Sequence, residues 1–357
     1  MEIEHNMKKI QSLQGFRALG FICVFLWHCG KGNAGTYAVS LFVMLSGFLL
    51  MFRDSGGVEE RRQTLACSVK SAMHKIWKLY PLHIMMFISA YVYYEFISKQ
   101  LSHVHIIVRS LSNVLILQSC IPFAEFWYYS FNGPSWYLSL TFFLYCAFPY
   151  IKARIKKSNP ITMSFFLYLG MIVYCVIASK LQIPAAVKKW LVYISPIFRC
   201  FDFAIGCCAG MIVKRGGMDR KKANGAGIMF LILSMISISI FAAFRSNQKS
   251  MAFIYSLIYV PAIFTGLLSL GSNQGFLSKI FSVRVFARLG DISGYAFLIH
   301  GMAMCYVSAA VSKINWNVLR RADVKNVTAF IVTILLAFLY EYLIKKYTNR
   351  KVGRLAK

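Results

Sequence analysis

The sequence predicts an all-α, polytopic bundle of about ten transmembrane helices, and three observations carry that prediction. Hydrophobic residues make up 58% of the 357-residue chain and charged residues 15%, where a soluble domain runs at roughly 45–50% apolar and about 25% charged. Mean hydropathy is +0.58. The apolar residues gather in stretches near the ~20 residues that a helix needs to cross hydrocarbon, and the basic residues fall in short runs between them. This composition excludes a disordered chain, a disulfide scaffold and a soluble enzyme. What remains is one membrane-embedded domain over 1–357, with the lipid bilayer as its first partner.

The candidate spans are 10–29, 37–52, 79–97, 136–151, 161–179, 198–213, 225–244, 252–270, 289–311 and 327–344. The first contains Arg17 and lacks a small-residue cleavage site, so it is expected to stay as a helix rather than be removed as a signal peptide. The second is short and carries Ser46-Gly47, which leaves open a full crossing, a tilt or a re-entrant path. A further stretch, 104–120, holds His105, Arg109, Asn113 and Gln118 and reads as interfacial. Basic residues decide its status. With ten spans and a cytoplasmic N-terminus, inside segments carry 26 Lys and Arg against 12 outside, whereas an eleventh span at 104–120 gives 17 against 20. Excess Lys and Arg stays on the cytoplasmic side. Ten spans with both termini cytoplasmic is therefore the expected topology. No linker or internal repeat is visible.

The net charge of +28 does not point to nucleic acid, because the basic residues mark the ends of apolar stretches instead of clustering on one soluble surface. Of the ten cysteines, Cys23, Cys146, Cys175, Cys200, Cys207, Cys208 and Cys305 lie within apolar stretches. None has CxxC spacing or a His at ligand distance, so they read as small buried hydrophobes and no metal is expected.

Ionisable residues at membrane depth need partners or a wet cavity. Arg17 and His28, eleven residues apart, fall about 20° beyond three full turns and so share one helix face, separated by roughly 16 Å of rise. A snorkelling Arg and an interfacial His would give the same pattern. Arg199 and Asp202, at i and i+3, can pair on one face, either as a structural ion pair or as part of a site. Asp291 and Glu341 lie near the cytoplasmic ends of the last two spans, Glu341 beside Lys345 and Lys346. His300 sits mid-membrane, as a hydrogen-bonded core His or a functional one. His5 and His74 are expected to be solvated. The run Phe126-Trp127-Tyr128-Tyr129, followed by Trp136-Tyr137, reads as an interfacial aromatic belt or as a platform for sugar rings.

Several segments, taken in order, resemble one family. QGFRALGFICVFLWHCG (14–30) is similar to the opening of the family 3 membrane acyltransferases, in which Arg and His are separated by ten residues. Leu41–Phe48 resembles that family's FFxxSGF element, Lys75–Pro81 its RxxRxxP element, and PSWYLSLTFFLYCAFP (134–149) its WSLSVExxFYLxFP element. Residues 199–210, with Arg199, Phe203, Gly206 and Gly210, resemble its Arg-acid-Phe-Gly helix, and Leu289–His300 its LGxxSYxxYLxH element. The departures are lysines at 75 and 78 in place of arginines, Thr141 in place of a glutamate, no proline near Glu341, and no appended esterase-like domain.

The resemblance implies transfer of an acyl group, commonly acetyl, from cytoplasmic acyl-CoA to a hydroxyl of an extracytoplasmic carbohydrate or its lipid-linked precursor, in a cell membrane of bacterial type. No cofactor is implied beyond acyl-CoA as donor substrate. It makes His28 and Arg17 catalytic, His28 as general base and Arg17 positioning the donor, with Lys75 and Lys78 on the donor's phosphates. Trp127, Trp136, Tyr137, Arg199 and Asp202 are then expected near the acceptor, and Ser46, Asp291, His300 and Glu341 as supporting residues. The spacing has a chemical reason. The nucleotide end of the donor cannot enter hydrocarbon and needs basic partners, while its thin pantetheine arm spans much of the distance from Arg17 to His28. A hydroxyl needs a base, and neutral imidazole, favoured by burial, is suited to the task. Direct transfer and transient acylation of His28 both fit. Competing classes are a transporter or flippase of a lipid-linked sugar and a non-catalytic subunit of a glycan assembly complex.

The charge distribution makes one prediction on its own. A reporter fused after Lys357 reads as cytoplasmic; an extracytoplasmic signal contradicts the ten-span topology.

Overall fold

The structure is a computed structural model that describes residues 10–54, 64–247, 250–313 and 321–355, with side chains to 349. His5, with the rest of residues 1–9, and residues 356–357 lie outside the described residues. Among the described residues every element is helical and no strand occurs. In order these are α1 (Gln11–His28), α2 (Gly35–Arg53), α3 (Leu65–Ile76), α4 (Tyr80–Val92), α5 (Ile106–Val114), α6 (Glu125–Tyr128), α7 (Trp136–Lys156) and α8 (Pro160–Lys180). They continue as α9 (Ala185–Lys189), α10 (Pro196–Lys214), α11 (Arg220–Phe244), α12 (Met251–Ile254), α13 (Val260–Gly271), α14 (Phe276–Phe281), α15 (Arg284–Lys313) and α16 (Ala322–Leu355).

Six helical runs are long and apolar enough to cross a bilayer: α2, α8, Ala185–Lys214, α11, α15 and Ala322–Asn349. The other four expected spans are helical too, as α1, as α4 extended by a π turn over Tyr93–Ile97, as α7, and as the broken run from α12 to α13. Polar side chains or length set them apart: Gln14 and Arg17 in α1, His83 in α4, Lys152 and Arg154 in α7, and only 12 residues in α13. The stretch 104–120 does not span. Its helix α5 has 9 residues, about 14 Å of rise. In contrast, α2 runs unbroken for 19 residues through Ser46-Gly47.

Local chemistry fixes several ends. Pro160 occupies the first turn of α8, where its missing N–H is no loss, and the Asn159 side chain accepts from Ile161 N at 2.9 Å and Thr162 N at 3.3 Å. Asp219 caps α11 by accepting from Lys222 N at 2.7 Å.

The chain divides into two compact units. The first comprises the chain to His74, Pro122–Ala124 and Leu140–Gly290. Its centre is the pair α2 and α10, both mostly buried, whereas α8 and α11 expose Ile161, Phe165, Phe166, Met229, Ile232 and Met235. Apolar faces turned outward on long helices are what lipid, not water, favours. Backbones of α2 and α10 come together at glycine: a Cβ on Gly206 would fall on the Met44 carbonyl oxygen, one on Gly47 on that of Phe203, and one on Gly210 on that of Phe48. Gly206 and Gly210 form the small-xxx-small spacing that allows helices in lipid to approach closely.

The second unit comprises Lys75–Ile121, Glu125–Ser139 and Asp291–Lys357. Ala90 of α4, Phe131 and Met302 of α15 form its apolar core, with the Phe87 and Phe131 rings 4.7 Å apart. Tyr306 Oη donates to Ser89 O at 3.0 Å, and Tyr340 Oη of α16 to Lys78 O at 2.9 Å. The segment between α4 and α7 folds around buried polar groups rather than lying open. Asn113 Nδ2 donates to Ser130 Oγ at 2.6 Å, Gln118 Nε2 to Ser135 O at 3.2 Å, and Asn132 Nδ2 to Leu298 O at 2.9 Å.

Because backbone lies directly against Gly206, a larger side chain there cannot be absorbed by a rotamer change. Gly206→Val is expected to destabilise the protein by at least ~1–3 kcal/mol, seen as a lower Tm in detergent. An unchanged Tm contradicts the close α2–α10 contact.

Candidate active site

Arg17 and His28 lie on one uninterrupted helix, α1, so their separation of about 16 Å and shared face follow from helix geometry. Helix α1 stops just past His28 through a Schellman arrangement. Lys31 N donates to Leu26 O at 2.8 Å and Gly30 N to Trp27 O at 3.0 Å. Gly30 takes φ +70°, a left-handed conformation open to glycine at little cost. His28 is exposed, not sealed in apolar surroundings, and Arg17 is half-buried.

Helix α2 and the later part of α7 bring three groups to Arg17. The Tyr145 hydroxyl is hydrogen-bonded with Ser46 and lies within electrostatic reach of Arg17 and Arg53, which also feel each other's charge. Neither arginine has a hydrogen-bond or ion-pair partner among the described residues. Directly after Arg53, Asp54 gathers lysines. Lys152 Nζ donates to Asp54 Oδ1 at 2.9 Å, Lys156 Nζ lies 3.2 Å from Oδ2 without hydrogen-bond alignment, and Lys214 Nζ donates to the Asp54 carbonyl oxygen. Burial pushes the Asp54 carboxyl up, but Lys152 and Lys156 together hold it below the usual carboxylate range.

Arg199 and Asp202 pair inside α10, as the i, i+3 spacing allows, and both side chains are fully buried. Arg199 Nη1 donates to Asp202 Oδ2 at 2.5 Å, to Ser256 Oγ at 2.8 Å and to Ser40 Oγ at 2.9 Å, while Nε donates to Tyr193 O at 2.7 Å. Ser256 Oγ donates to Asp202 Oδ2 at 2.8 Å. This ring of partners makes the pair a tie among α2, α10 and the chain before α13. Arg199 Nη2 alone has no partner among the described residues.

The remaining expected residues fall in the second unit. Lys75 ends α3 and Lys78 follows it, both exposed. Trp127 is half-buried and stacks on His105, with ring centroids 5.5 Å apart. Trp136 is buried beside Tyr129 and Tyr137, and half-buried Tyr137 meets Phe297 edge-on at 5.2 Å. His300 is buried, and its Nδ1 carries the proton it donates to Phe297 O at 2.7 Å, the hydrogen-bonded core arrangement. Asp291 is half-buried. Glu341 is buried and accepts from Lys345 Nζ at 2.8 Å.

The order of these groups along the chain is matched by a known family, whose description is an acyltransferase domain and whose match covers residues 10–346. The chain belongs to the family 3 acyltransferases. All the expected site residues, from Arg17 to Glu341, fall within that match. The chain is also 26% identical over 333 residues to Acyltransferase MdmB of Streptomyces mycarofaciens, covering 84% of this chain and 80% of the relative. No solved structure matches. The protein is thus an acyltransferase enzyme with several helices fit for a membrane.

Two features of this family 3 acyltransferase were not singled out by sequence. Arg53 passed as a topology signal, although its place at the end of the FFxxSGF-like helix was a cue. Tyr145 lies in the element resembling WSLSVExxFYLxFP and was read only as part of it. Arg109, named by sequence only as a polar residue of the stretch 104–120, is buried, donating to Ser102 O at 2.8 Å and lying 5.4 Å from the Phe126 and Phe131 ring centres.

Asp202→Asn strands the buried Arg199 charge and is expected to destabilise the enzyme by about 3–5 kcal/mol. Arg199→Met combined with Asp202→Leu should recover much of the lost Tm. A Tm unaffected by Asp202→Asn contradicts the buried pair.

Proposed function

We propose that this acyltransferase moves an acyl group, most commonly acetyl, from cytoplasmic acyl-CoA to a hydroxyl of an extracytoplasmic carbohydrate or its lipid-linked precursor, from a bacterial cell membrane crossed ten times with both termini cytoplasmic. The observation that carries the proposal is the placement of Arg17 and His28 on one continuous helix about 16 Å apart. An exposed base at the end of the helix and a half-buried cation partway along it suit a donor whose charged and reactive ends lie at different depths.

In this reading His28 takes the proton of the acceptor hydroxyl as its oxygen attacks the thioester carbonyl. The CoA thiolate leaves and is protonated, and the acyl ester remains on the acceptor. In the alternative route the His28 imidazole itself attacks the thioester and the CoA thiolate leaves, and the acceptor hydroxyl then takes the acyl group from acyl-His28, losing its proton as the imidazole is freed. Arg17 positions the donor, Ser46 holds the Tyr145 hydroxyl beside it, and Lys75 and Lys78 draw on its phosphates as point charges. Trp127 and Tyr137 supply aromatic faces for sugar, with Trp136 packed against Tyr137 as support. Arg199 and Asp202 act on the acceptor side chiefly by fixing the helices there, and Asp291, His300 and Glu341 support the fold of the second unit.

A purified, folded His28→Ala protein is expected to lose acyl transfer from acetyl-CoA by at least about 10²-fold with Tm retained. Near-normal turnover contradicts the assignment of His28 as base.

A further inference from the structure

The ends of α2, α7 and α10 concentrate positive charge, with Asp54 as the carboxylate that the described ion pairs place among their lysines. Lys152 and Lys156 face the Asp54 carboxylate while Lys214 donates to the Asp54 backbone carbonyl oxygen, so three ammonium groups gather at one residue that carries a single negative charge. Lys152 is only 3% exposed, which places one of those charges under the surface. Arg53, the residue before Asp54, adds a guanidinium with no hydrogen-bond or ion-pair partner among the described residues. Arg17 adds a second that is equally unpartnered and within reach of the first.

A topology signal needs basic residues on the correct side of the membrane and is served equally well by side chains splayed apart in solvent. The three lysines gathered at Asp54 repel one another, as do Arg53 and Arg17, and the low dielectric beside a membrane strengthens that repulsion. An anion with several oxygens relieves it. Two guanidiniums offer planar forks that match phosphate oxygens, and the lysines offer charge without directional demand.

We propose that this cluster is an anion site in the first unit, where Arg53, backed by Lys152, Lys156 and Lys214, binds a phosphate group of the acyl-CoA donor. The inference rests on the acyl-CoA reading above and deepens it by adding Arg53 to the donor contacts. The division of labour is chemical: Asp54 fixes the lysines in place and consumes one of their charges, leaving Arg53 and Arg17 to face the ligand. A phosphate on an anionic lipid has the same chemistry, so the test separates the two sources.

Binding of adenosine 3′,5′-bisphosphate, which carries the donor's phosphates but no acyl arm, is measured by calorimetry on the full-length protein in neutral detergent. Turnover is followed in parallel with acetyl-CoA and with acetyl-pantetheine, which has no phosphate. Arg53→Gln is expected to weaken bisphosphate binding at least tenfold and to raise KM for acetyl-CoA similarly, while KM for acetyl-pantetheine stays unchanged. Arg53→Lys should restore part of the loss. Unaltered bisphosphate affinity in Arg53→Gln overturns the proposal, as does an equal loss with both donors, which marks a structural effect. So does a variant that keeps bisphosphate affinity but loses a stability gain from phosphatidylglycerol, since the site then belongs to a lipid headgroup. Failure of the wild type to transfer acetyl from either donor, with bisphosphate binding still dependent on Arg53, would instead count against the acyl-transfer reading alone.

Discussion

The contact between α2 and α10 is the constraint from which the first unit is built. It has three levels. At one end, Arg199 of α10 donates to Ser40 of α2 at 2.9 Å; in the middle, glycines let the two backbones touch; at the other end, Lys214 donates to the Asp54 carbonyl oxygen. Lipid supplies no hydrophobic drive to bring helices together, so close packing and hydrogen bonds must do it. Glycine in the middle permits the approach, and polar ties at both ends fix rotation and register.

Function follows from what that pair holds in place. Helix α1 packs along α2, with Gly20 against the Phe42 ring, and so carries Arg17 to the side of α2 that bears Ser46 and Arg53. The same helix ends in a Gly30 turn that leaves His28 accessible. In the proposed function, this helix, with a cation partway along it and a base at its end, is a ruler for a long, two-ended donor. The fully buried Arg199–Asp202 pair and the Asp54 lysine cluster illustrate two fates of charge in such a protein. The first is closed on itself by serines and a backbone carbonyl, and acts as a tie. The second is overfilled with positive charge, and its surplus is available to an anion.

Sequence made much of this legible. Composition and the spacing of apolar stretches located a helix at every expected span, and the i, i+3 spacing of Arg199 and Asp202 foretold their pairing. The shared face of Arg17 and His28 needed only that α1 be continuous, which it is. What sequence could not reach were contacts between helices far apart in the chain. Tyr145 and Ser46 are ninety-nine positions apart, and nothing in either segment specifies their hydrogen bond. Arg53 was hidden for a different reason: a basic residue at the end of a span already has an explanation as a topology signal, so its lack of a partner among the described residues shows only in three dimensions. His28, expected at the outer end of the first span, closes α1 where the chain turns away at Gly30.

The central claim is that donor and acceptor meet at this enzyme from opposite sides of a membrane. The measurement that tests it most directly is acetyl transfer in sealed proteoliposomes of known orientation, with labelled acetyl-CoA confined to one compartment and the carbohydrate acceptor to the other. The account predicts labelled acceptor when acetyl-CoA is on the cytoplasmic face and the acceptor opposite, and none when both are on the cytoplasmic face. Equal labelling with both substrates on the cytoplasmic face would contradict it.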